Sequence, residues 1–136
     1  DNIESLTVAT VSEDKSKSRI TIVTSGTPMI IEQIKAQLNR LVPVSDVYDL
    51  TEEGPHIERE VALIKLLAKG PERRESLRIA DIFRARVADT TVDSFVFMVS
   101  VTQEKIDAFT ELMRALGAVE IARSGVGAIA RGPEVL

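Results

Sequence analysis

Between residues 31 and 44 the apolar positions Ile31, Ile34, Leu38 and Leu41 fall three or four apart and run on into Val44, the spacing of a helix with one buried face. Residues 106–119 carry the same stripe at Ile106, Phe109, Met113 and Leu116, running on into Val119. Each position of the second stripe lies 75 residues beyond its counterpart in the first. The offset holds upstream as well, where Ile20 and Ile22 of "SRITIVTSG" (18–26) align with Phe95 and Phe97 of "DSFVFMVSV" (93–101). The chain therefore contains two copies of strand, helix, strand. Thr27-Pro28 reads as an N-cap followed by proline at the first helical position, and Thr102 stands in the matching cap place. Gly117 closes the second helix.

The second copy has more in front of it. "REVALIKLLAKG" (59–70) predicts a strand in which Val61, Leu63 and Lys65 alternate with Ala62, Ile64 and Leu66. "RRESLRIADIFRAR" (73–86) predicts a helix with Leu77, Ala80, Phe83 and Val87 spaced for one face and arginines on the other, and "VADTTV" (87–92) a short strand. The order is then β-α-β-β-α-β, a ferredoxin-like unit. In the first copy "DNIESLTVA" takes the place of "VADTTV", and nothing in the chain matches the preceding strand and helix. By the repeat, roughly 28 residues are expected upstream, and the first half is expected to be completed by a neighbour, loosely packed or truncated. The polar Gly-Pro stretch "TEEGPHIER" (51–59) reads as a linker with the boundary near Pro55. The expectation is an α+β chain of two ferredoxin-like units in tandem: 1–54, lacking its first strand and helix, and 55–136.

Composition narrows the function. Seventeen basic residues are offset by 21 acidic ones, and a net charge of −4 supplies no electrostatic footprint for a nucleic acid. Cysteine is absent, which removes disulfides, thiolate metal sites and a cysteine nucleophile. Lys65 and Ser100 interrupt the two most apolar runs, so no membrane helix is expected.

Individual candidates reduce to bland readings. His56, the only histidine, lies with Glu58 and Glu60 at alternate positions, and it reads as a linker histidine in place of a metal ligand. "SGVGAIARG" formally matches a dinucleotide fingerprint at Gly125, Gly127 and Ala130, but Gly132-Pro133 forbids the helix that motif needs. A last strand with a glycine bend is the better reading. Glu52, Glu53, Glu58 and Glu60, and the run Lys69, Arg73, Arg74, read as solvated surface, and Phe95 and Phe97 as buried. No cluster combines acid, base and nucleophile. The sequence thus points to a binding or regulatory protein with no catalytic residue, no metal site and no cofactor of its own.

Taken together, "NIESLTVA", "SRITIVTSGTPMIIEQIKAQLNRLVPVSDVYDLT", "EREVALIKL", "ADIFRARVAD" and "EIARSGVGAIARG" resemble the regulatory (small) subunits of acetolactate synthase. The resemblance implies an N-terminal ACT domain followed by an ACT-like domain in a cytoplasmic, non-catalytic subunit. It implies a homodimer that binds a catalytic subunit carrying thiamine diphosphate, Mg²⁺ and FAD, raises its activity and confers feedback inhibition by valine in branched-chain amino acid biosynthesis. Asn2 matches the family's asparagine at the start of the second ACT strand, which implies an effector-binding role for Asn2 and its neighbour Ile3. The alternative is a stand-alone ACT-type amino-acid sensor or transcriptional regulator. Such a regulator would call for a DNA-binding helix pair, which the sequence does not show.

Overall fold

The computed structural model describes the backbone of residues 3–13, 16–40 and 44–135, with side chains placed from Arg19 onward except at 41–43, 45, 52 and 53. The fold is mixed α+β. Its contacts divide into two units, one of residues 1–57 with 127–136 and one of residues 58–126.

In the first unit β1 (Ile3–Glu13) and β2 (Ser16–Gly26) form an antiparallel hairpin in unbroken register from Ile3↔Gly26 to Glu13↔Ser16. Helix α1 (Pro28–Asn39) follows directly, because Pro28 pre-sets the first helical φ and the Thr27 hydroxyl accepts from the Ile30 amide at 3.3 Å. Strand β3 (Val44–Asp49) pairs antiparallel with β1, which gives the sheet order β2-β1-β3. Asp49 then caps the single turn α2 (Leu50–Glu53) by accepting from the Thr51 amide. The end of the chain joins this unit through the Arg19 guanidinium on the Ala128 carbonyl and the Arg131 amide on the Pro55 carbonyl. Among the described residues its buried apolar side chains are Ile31, Leu50 and Ala128.

The second unit holds the main core. Strand β4 (His56–Leu67) begins at the division and is followed by α3 (Gly70–Ile82), β5 (Arg86–Thr90), β6 (Ser94–Val101), α4 (Gln103–Leu116) and β7 (Ala118–Ala130). The strand order is β5-β6-β4-β7. Strands β4 and β6 pair from Glu60↔Val101 to Leu67↔Ser94, so that Ala62, Ile64 and Leu66 lie opposite Val99, Phe97 and Phe95 on one buried face. Ile79 and Ala80 of α3 and Ile106, Phe109 and Met113 of α4 close over that face. Rings stack through it: Phe83 to Phe109 at 5.1 Å, Phe109 to Phe97 at 6.3 Å and Phe97 to Phe95 at 5.2 Å between centroids.

The 75-residue repeat is visible in both units. Strands β2 and β6 end at Gly26 and Val101, and Thr27 and Thr102 cap α1 and α4 by the same hydroxyl-to-amide bond. The copies part at their last strand. Strand β7 lies beside β4, whereas β3 lies beside β1. Two boundaries also differ from the sequence expectation. Helix α3 starts at Gly70 in place of Arg73, and the expected linker 51–59 contains most of α2 and the start of β4.

Gly117 joins α4 to β7 with φ of +124°, and its carbonyl accepts from the Leu67 amide at 3.1 Å. A Cβ at this position would stand 2.5 Å from the Leu67 carbonyl oxygen. Gly117→Ala should therefore cost about 2–3 kcal/mol, from strain at positive φ together with a backbone clash. A fall in the thermal midpoint checks this, and an unchanged midpoint would show that the β4–β7 junction gives way freely.

Candidate functional site

Of the two residues predicted to meet an effector, Asn2 lies outside the described residues. Ile3 opens β1, and its backbone stands opposite Gly26, the last residue of β2. Thr27 and the first turn of α1 come next in the chain, so the start of β1 and the amide-rich N-terminus of a 12-residue helix are brought to one end of the sheet. Gly26 has no side chain to fill the space there; a Cβ would come 3.1 Å from Ile30 Cγ2.

Glu60 was expected on the surface, yet it is only 3% exposed. It accepts from Arg123 Nε at 3.0 Å and Nη2 at 2.6 Å, a bidentate pair, and from the Gly125 amide at 3.1 Å. Arg123 also donates through Nη1 to Asp107 Oδ1 at 2.7 Å, which ties β4 and β7 to α4. The Arg123 bonds hold the Glu60 carboxyl below the usual carboxylate range, against the opposing pull of burial, and Glu60 in turn raises Arg123. A carboxylate held ionised by a fixed cation is a poor proton donor, so this cluster is a structural clamp. The signal for it was present in the sequence, because Glu60 is in phase with Ala62, Ile64 and Leu66. Gly125 has φ of +81°, in keeping with a glycine bend inside the last strand.

His56 belongs to β4 and is half-buried, with Nδ1 3.4 Å from the Gly54 carbonyl oxygen. Among the described residues no group of three His, Cys, Asp or Glu side chains is placed to hold a metal. Arg73, expected in solvent, lies over the Phe95 ring at 3.9 Å and donates to the Ser94 carbonyl and the Thr90 hydroxyl. Phe95 and Phe97 are both buried. No helix among the described residues is long and apolar enough to cross a membrane.

One extended apolar surface is left open. The helices of the second unit cover one face of its sheet, and the other face presents Val61, Leu63 and Leu67 of β4 and Met98 of β6, between 37% and 52% exposed. Leu63 and Met98 are directly opposed across the strands, with Lys65 on the same face between Leu63 and Leu67 and Ser100 opposite Val61. In the first unit Met29 and Ile30 of α1 are likewise exposed.

Comparison with known proteins gives a consistent result. The family described as the small subunit of acetolactate synthase matches residues 59–132. The probable acetolactate synthase small subunit of Archaeoglobus fulgidus is 43% identical over 131 residues, covering 96% of this chain and 80% of the relative. The isozyme 3 small subunit of Escherichia coli is 42% identical over 136 residues, covering 99% of this chain and 82% of the relative. Among solved structures, the acetolactate synthase small subunit from Thermotoga maritima superposes with a TM-score of 0.80 at 26% identity, covering 97% of this chain and 99% of that one.

Proposed function

The chain belongs to the acetolactate synthase small-subunit family, and from that premise we propose that it binds the catalytic subunit, raises its activity and makes it sensitive to valine. It is a non-catalytic regulatory subunit of branched-chain amino acid biosynthesis. The observation that carries the reading is that the similarity runs through both units and not through the better-packed second one alone. Thiamine diphosphate, Mg²⁺ and FAD belong to the catalytic partner.

The finer reading is two ferredoxin-like domains, 1–54 and 55–136. The strand order β5-β6-β4-β7 supports it for the second. The open apolar face of that sheet and the exposed apolar residues of α1 suit pairing with a second copy or with the catalytic subunit, since apolar patches of this kind on a soluble chain mark contact surfaces.

Asn2 and Ile3 are assigned to the effector. An asparagine amide donates to a carboxylate and accepts from an ammonium, the two charged groups of a free amino acid. Ile3 stands opposite Gly26, next to the first amides of α1, where a carboxylate is favoured. Valine can shift the catalytic subunit only by binding two states of the complex unequally.

Acetolactate formation by the purified catalytic subunit, measured with and without this protein over a valine titration, tests the reading. Added protein should raise the rate, and valine should then lower it. Asn2→Ala should weaken inhibition by roughly tenfold in valine concentration, the loss of one charge-assisted bond, while activation persists. Loss of both together would count against a dedicated effector role for Asn2.

A further inference from the structure

A cleft of about 660 Å³ opens in the second unit where the end of α3, the end of β6 and the start of α4 meet. Its charged lining consists of Arg59, Arg84 and Lys105, with no acidic residue. Among the described residues none of the three forms an ion pair, and the one hydrogen bond made by a side chain among them runs from Arg59 Nη1 to the adjacent Glu58 carbonyl. Three exposed cations line it with no acidic side chain among them, which favours an anion there.

Two local features make the cleft more than a basic patch. Arg84 has φ of +59° and is the only non-glycine at positive φ among the described residues. It stands just past the end of α3 in a Schellman motif, where the Arg84 amide donates to the Asp81 carbonyl and the Ala85 amide to the Ala80 carbonyl. Glycine is the favoured residue there, and a side chain at that φ costs about 1 kcal/mol. A lining residue of the cleft is thus kept in a conformation that costs stability, as strained residues at binding sites are. On the opposite wall the cap of α4 contributes Thr102, whose hydroxyl oxygen accepts from the Lys105 amide and keeps its proton to donate, and Ser100 adds a second exposed hydroxyl. Ile82 and Phe83 supply an apolar wall.

From this geometry we infer that the cleft is a binding site for a small organic phosphate carrying at least two negative charges. Arginine forks, a lysine, hydroxyl donors and a helix N-terminus are the groups that recognise phosphate, and the cleft volume is that of a metabolite site. The site lies wholly in the second unit, so it is separate from the effector position assigned to Asn2 and Ile3 and does not depend on it.

Pyrophosphate is the probe, titrated into the intact, isotope-labelled protein while backbone amide shifts are followed without valine. Saturable shifts confined to the amides of residues 83–85 and 100–105 are expected. Arg84→Gly keeps the left-handed turn and so preserves the fold, and it should raise the pyrophosphate Kd by roughly tenfold, as should Lys105→Gln. Shifts spread evenly over surface cations such as Lys69 and Arg114 would overturn the inference, as would unchanged affinity in both folded variants. A response to a glutamate-rich peptide but none to pyrophosphate would overturn the small-phosphate assignment as well.

Discussion

Phe97→Ala should remove most of the stability of the second unit. The side chain is completely buried at the centre of the sheet, opposite Ile64 and in ring contact with both Phe95 and Phe109. Truncation loses the transfer free energy of the ring and leaves a cavity that two helices and a sheet cannot collapse to fill, a cost of about 3–5 kcal/mol. Against a total of about 5–15 kcal/mol for a domain, that is enough to populate unfolded protein under mild conditions. Denaturant unfolding should show a lowered midpoint with an unchanged slope. Phe97→Leu, which keeps most of the volume, should recover more than half of the loss. If alanine cost less than about 1 kcal/mol, the ring stack would not be the centre of the core.

The second large effect concerns Glu60 and acid. Its folded pKa lies below the ordinary value of 4.5 because Arg123 and the Gly125 amide favour the ionised form. The stabilisation is therefore fully present above about pH 4.5 and is lost as pH falls through the depressed folded pKa. Glu60→Gln should cost about 2–3 kcal/mol at neutral pH, since it leaves Arg123 without its buried partner in a site water reaches only partly. The Arg123 side chain is 31% exposed and keeps its bond to Asp107, which holds the loss below that of a fully buried pair. Stability followed from pH 7 downward should fall less steeply in the variant than in the parent below about pH 4.5, because one of the titrating groups is gone. Parallel curves would place the acid sensitivity elsewhere.

Much of this architecture was legible in the sequence because side-chain periodicity is set by geometry. The stripes on α1 and α4, the alternation in β4 and the matching caps at Thr27 and Thr102 all follow from helical and pleated repeats that any buried face must obey. The failures have equally local causes. Glu60 and Arg73 were read by residue type, and type says surface, but each is held in place by a partner that is distant in sequence: Arg123 for one and the Phe95 ring for the other. The cleft at Arg84 was equally invisible, since nothing in "DIFRAR" announces a left-handed arginine.

The seating of β7 against β4 has a consequence for synthesis on the ribosome. Strand β4 gains one neighbour when β6 is made, but its other edge has no partner until residues 118–126 emerge, long after β4 itself. During that interval the nascent chain carries an apolar strand with a row of unsatisfied amides and carbonyls, the kind of edge that captures strands from other chains. Neighbouring ribosomes on one message would bring such edges together. The final strand is thus the step that converts an adhesive intermediate into a closed sheet, and slow codons or stalling upstream of residue 118 should raise aggregation more than the same delay placed within β5.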